Sequence, residues 1–134
     1  MSIIRSEVSL KNPYYIPKHR YYELKHFCLQ YPIWNSARNS LIGLQSNGDL
    51  GVFVQQGITD PTERCAESII FYTERIDMIR KAAEGTLIPK YIFKAVTQNL
   101  TYTYFEMNCD LMITRDQYYS EYRKFFYLLS KIRK

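Results

Sequence analysis

Apolar residues in this chain recur at spacings of three and four along most of its length, the pattern of amphipathic helices. Tyr21, Leu24, Cys28 and Tyr31 fall 3, 4 and 3 apart, which predicts a helix with Pro17 at its first position and Tyr31 at its end. Pro32 stops that helix and opens another, to about residue 45, with Ile33, Ala37, Leu41 and Leu44 as its stripe. Ser46, Asn47, Gly48 and Asp49 read as a turn within an irregular 46–60 loop, and residues 50–57 are the one stretch with extended character. Asp60, Pro61 and Glu63 then supply a cap, a first-turn proline and a capping-box carboxylate. The helix they start is expected to run to Glu84, with Cys65, Ile69, Tyr72, Ile76, Ile79 and Ala83 at 4, 3, 4, 3 and 4. Packing within the domain is the first reading of that stripe. A homodimer seam through Ile69, Tyr72, Ile76 and Ile79 is the second.

A shorter helix is expected over 89–98, with Ile92, Phe93 and Val96 inward. Another runs from 102 to about 108, capped by Thr101, and a long one starts at Met112 or Thr114 and continues to the C-terminus. Thr114, Arg115, Asp116 and Gln117 fit a capping box, and Tyr118, Tyr122, Phe125, Leu129 and Ile132 form the apolar stripe of that last helix. Asp110 lies between the two helices as a residue that tolerates a left-handed turn. The fold class that follows is all-α, one compact domain of five or six helices. Residues 12–98 form a helical platform, and 100–134 form a short helix, a tight turn and a longer helix. At 134 residues and 46% apolar, the chain is long enough for one real core.

Charge changes the picture more than composition does. Residues 1–48 carry six Lys/Arg against Glu7 and Glu23, residues 49–88 carry four against seven acids, and residues 89–134 carry eight against four. A basic–acidic–basic order fits either a nucleic-acid face made by the two ends or ends that neutralise the middle. The two histidines, His19 and His26, lie seven apart and cannot share a metal, and Cys28 does not face His26. No glycine-rich phosphate loop, no GxSxG and no triad is present, and the acids of 60–84 spread around a helix. The chain therefore reads as a non-enzyme with no cofactor and no metal. Three cysteines with no C-x-x-C pair, no signal-peptide core and no apolar run of membrane length predict a cytoplasmic protein with no membrane partner.

The segment Leu100, Thr101, Tyr102, Phe105 and Leu111 resembles the helix-turn-helix of sigma-factor region 4, in which a motif of that kind precedes the recognition helix. Over about residues 12–131 the chain also resembles a family of small phage- and prophage-encoded proteins related to ArpU/RinA-type late-gene regulators. The segments that carry this resemblance are 21–32, the Asp60-Pro61-Thr62 helix start, 100–104 and 123–131. The resemblance implies a transcription regulator that binds double-stranded DNA in the cytoplasm of a bacterial host.

On that reading Thr114, Arg115, Asp116, Tyr119 and Arg123 are the candidates for contact with base edges, since arginine pairs bidentately with guanine. Lys124, Lys131, Arg133 and Lys134 are candidate phosphate anchors, and Lys18, Arg20 and Lys25 on the first helix form a weaker phosphate-contact set. RNA polymerase is a further partner for the platform. The alternative is a protein-interaction module that inhibits a host defence nuclease, in the manner of an anti-CRISPR protein, or a host polymerase. It is motivated by Glu106, Asp110 and Glu121, acidic where a DNA binder favours small or basic residues.

Overall fold

The computed structural model describes residues 13–47, 61–109 and 111–133, and the regular structure among them is entirely α-helical. The helices are α1 (Lys18–Leu29), α2 (Tyr31–Asn47), α3 (Pro61–Glu84), α4 (Pro89–Gln98), α5 (Tyr102–Asn108) and α6 (Arg115–Ile132). The expectations for residues 48–60, for Asp110 and for Lys134 lie outside the described residues.

From α3 onward the bounds fall where the start and stop signals put them. Thr101 caps α5, its hydroxyl accepting from the Tyr104 amide at 3.3 Å. Asn99 ends α4 in the left-handed region (φ 56°), a conformation asparagine tolerates better than most side chains. For α6 the Thr114 start is the one adopted, not Met112. The Thr114 hydroxyl accepts from the Gln117 amide (3.1 Å) while the Gln117 side chain accepts from the Thr114 amide (3.2 Å).

The first two helices differ from expectation. Pro17 is the extended residue before α1, not its first helical residue, and α1 ends at Leu29, so that Tyr31 belongs to α2. Proline at 32 has no amide to donate to the turn before it, so α1 breaks ahead of it and Pro32 falls in the first turn of α2. On α2 the inward residue is Trp34, while Ile33 is 68% exposed. Trp34 takes the place of Ile33 on the stripe, where Ala37, Leu41 and Leu44 are half-buried, and buries the larger aromatic surface.

Residues 13–30 with 78–133 form one compact unit, and 31–47 with 61–77 form another. In the second unit, Trp34 and Cys65 are buried and the Cys65 thiol donates to the Leu41 carbonyl at 3.4 Å.

The first unit is held by a chain of rings. Tyr91 of α4 meets Phe105 of α5 edge-on at 5.4 Å, and Phe105 meets Tyr118 of α6 at 6.0 Å. Tyr118 continues to Tyr122 (6.2 Å), Tyr122 to Phe126 (5.0 Å), and Phe126 to Tyr21 of α1 (5.1 Å). Each such pair contributes roughly 0.5–1.5 kcal/mol beyond the burial of its surface. Leu24, Cys28, Ile92, Ala95, Phe125 and Leu129 fill the space around the rings.

A second tie fastens α1 to the end of α6. Arg20 donates to the Ser130 hydroxyl (3.1 Å) and carbonyl (3.0 Å), to the Arg133 carbonyl and to the Glu23 carboxylate. Arg133 returns to Glu23 at 3.0 Å and lies over the Phe27 ring. Gly85 permits close passage of the 85–88 loop, since a Cβ there would stand 2.5 Å from the Leu128 side chain.

Two predictions follow from this core. The Tyr118 hydroxyl is buried with no hydrogen-bond partner among the described groups. An unpaired buried hydroxyl costs roughly 1–3 kcal/mol, so Tyr118→Phe should leave urea stability unchanged or raise it, and a loss above about 1 kcal/mol would contradict the packing. Burial also pushes the Cys28 thiol and the Tyr118 and Tyr122 phenols upward, with Tyr21 adding to the effect on Tyr122. Groups raised in the fold stabilise it fully at pH values below their unfolded pKa and cease to do so as pH climbs toward the folded one. Stability should hold steady to about pH 9 and then fall by up to about 1.4 kcal/mol per pH unit for each group, read as urea midpoints between pH 8 and 11.

Candidate nucleic-acid interface

The described residues of the first unit carry twelve Lys/Arg against Glu23, Glu84, Glu106, Asp116 and Glu121. Two of these carboxylates are already engaged. Glu23 lies between Arg20 and Arg133, and Glu121 accepts from the Leu87 amide at 2.7 Å. Glu121 is thus turned onto the 85–88 loop, which removes it from the open side of α6.

The candidate recognition residues lie along the first half of α6. Thr114 is exposed, but its hydroxyl is committed to the Gln117 amide. Arg115 is exposed, donates to the Thr103 hydroxyl of α5 at 3.3 Å and lies 5.2 Å over the Tyr102 ring. Asp116 is exposed in the first turn, where a carboxylate suits the helix dipole. Tyr119 is half-buried, packs on Tyr118 and receives a long contact, 3.5 Å, from the Tyr102 amide. Arg123 and Lys124 are half-buried and have no hydrogen-bond or ion-pair partner among the described residues. Arg115, Tyr119 and Arg123 are each four residues apart and form one stripe, with Asp116 beside it.

The remaining candidates do not join that stripe. Lys131 lies 4.4 Å over the Tyr127 ring, about 24 Å along the helix from Arg115, roughly twice the width of a major groove. Lys18 is exposed and Lys25 half-buried on α1, and Arg20 is held by α6 as described. Of the dimer-seam candidates, Ile76 and Ile79 are fully buried, and Ile69 and Tyr72 half-buried.

Sequence reasoning missed the part α5 plays. Tyr102 donates to the Ile113 carbonyl at 2.8 Å, tying α5 to the segment that leads into α6. Thr103 holds Arg115, and Lys94 of α4 sits 5.5 Å over the Tyr104 ring. Tyrosines at 102 and 104, two apart and so on different sides of a helix, were the available sign that cations would approach α5 from two directions.

Among the described residues, no group of three or more His, Cys, Asp or Glu could hold a metal ion, and no helix is long and apolar enough to cross a membrane. The capping box makes a direct prediction. Thr114→Ala should lower stability by about 1 kcal/mol in urea unfolding and increase amide exchange in the first turn of α6 without changing that of α4. Compared with protein-family models, with curated proteins and with solved structures, the chain matches none.

Proposed function

We propose that the chain is a regulator of the phage and prophage type, which binds double-stranded DNA with α5 and α6 acting as a helix-turn-helix. One observation carries this reading: the first three turns of α6 carry the exposed Arg115 and the half-buried Arg123 and Lys124, in a unit with twelve cations and five carboxylates among the described residues. Arg115, steadied by Thr103 and Tyr102, is preorganised for a base edge, and Arg123 is the second reader. Lys124 meets a phosphate. RNA polymerase would then be reached through the rest of the chain.

A second reading is favoured by a separate observation. Met107 and Met112, on either side of the α5–α6 connection, are 78% and 91% exposed, with Glu106 and Asp116 also exposed nearby in sequence. Exposed methionines suit an adaptable protein-binding surface, as an inhibitor of a host nuclease or polymerase would need.

Fluorescence anisotropy with a mixed-sequence duplex, between about 50 and 200 mM salt, separates the two. DNA binding through several phosphates should weaken by orders of magnitude across that range. Arg123→Ala should cost about 1–3 kcal/mol and relax sequence preference, while Lys124→Ala should weaken all sequences alike and lower the salt slope by about 0.9. Absence of binding at the lowest salt would overturn the DNA reading and favour the protein partner.

A further inference from the structure

One turn of α3 is apolar on every side. Ile69, Ile70, Phe71 and Tyr72 follow one another at about 100° per residue and so point in four directions around the helix. Ile69 and Tyr72 are half-buried, whereas Ile70 is 55% and Phe71 46% exposed. The seam expected from periodicity turns inward at Cys65, Ile76 and Ile79. What α3 turns outward is a different stripe, made of Glu67, Ile70, Phe71 and Glu74 with the half-buried Arg75 at its edge. A helix turn that is apolar all round is ordinarily covered all round.

The charges on this stripe indicate what covers it. When two copies of one helix pack antiparallel about a two-fold axis, positions equidistant from the axis meet. With the axis at Phe71, the two Phe71 rings meet, Glu67 of each copy faces Arg75 of the other, and Ser68 faces Glu74. Two of the neighbouring registers oppose like charges. An axis midway between Ile70 and Phe71 sets Glu67 against Glu74, and one midway between Ile69 and Ile70 sets Arg64 against Arg75. Arg75 is already held along the stripe, its guanidinium 3.4 Å from the Phe71 ring centroid and hydrogen-bonded to the Phe71 carbonyl at 3.0 Å. Glu67 forms no ion pair among the described residues.

We propose that this face of α3 pairs with a second copy of the chain, antiparallel, about a two-fold axis at Phe71. The inference stands apart from the DNA reading, since no residue of α5 or α6 enters it.

Sedimentation velocity of the full chain, from about 1 to 100 µM, tests it. The wild type should shift from monomer to dimer across that range, and Phe71→Asp should remain monomeric with unchanged helical circular dichroism. Glu67→Arg and Arg75→Glu should each weaken the dimer roughly tenfold or more by opposing like charges. The double variant should restore it. The two positions are about 12 Å apart along one helix, so this rescue requires two chains. A wild type that stays monomeric throughout, or a double variant no better than either single, would overturn the proposal. Should Phe71→Asp lose helix, the charge-reversal set decides alone.

Discussion

The Tyr118 ring is in contact with Tyr102, Phe105, Tyr119 and Tyr122, and what the first unit presents to solvent depends on that junction. Through Phe105 it reaches Tyr91 on α4, and through Tyr122 and Phe126 it reaches Tyr21 on α1. Aromatic side chains bury large areas while freezing only two torsions each, so a short helix such as α5 can be positioned firmly by very few of them. Seven residues would not hold a helix by themselves. Docking of Tyr102 and Phe105 onto Tyr118 is what gives α5 its place.

That placement sets the geometry of the cations. Arg115 bends toward Thr103 because α5 lies alongside, and the Tyr102 ring beneath it favours a guanidinium. At the far end of α6, Arg20 ties the Ser130 turn to α1, so the helix is held at both ends. Glu121 contributes by leaving the open side of α6: its carboxylate satisfies the Leu87 amide in place of water. Recognition groups on rigid elements lose less freedom on binding than the same groups on loops.

Much of this was legible in the chain. Helix positions from α3 onward followed from Pro61, Gly85, Pro89, Thr101 and the Thr114–Gln117 pair, because caps and prolines act locally and need no tertiary context. The burial of Tyr118, Tyr122, Phe125 and Leu129 followed from their spacing. The choice of Trp34 over Ile33 was not legible, since both fit an amphipathic pattern and only packing decides which faces in. Arg20 and Glu121 were equally hidden. Each looks like a surface charge on its own helix, and its partner lies 110 or 34 residues away. The inward stripe of α3 was legible from its spacing, with Cys65, Ile76, Ile79 and Ala83 buried and Ile69 and Tyr72 half-buried, but the stripe says nothing of Ile70 and Phe71, the two apolar residues between them that face out.

The proposed DNA-contacting edge is α5 with the first half of α6. Backbone amide NMR of the chain, titrated with a short duplex at low salt, addresses it residue by residue. The expected shifts are confined to residues 101–104 and 114–124, with α3 unchanged and all of them reversed by added salt. Shifts centred elsewhere, or none at a duplex concentration above that of the protein, would contradict it.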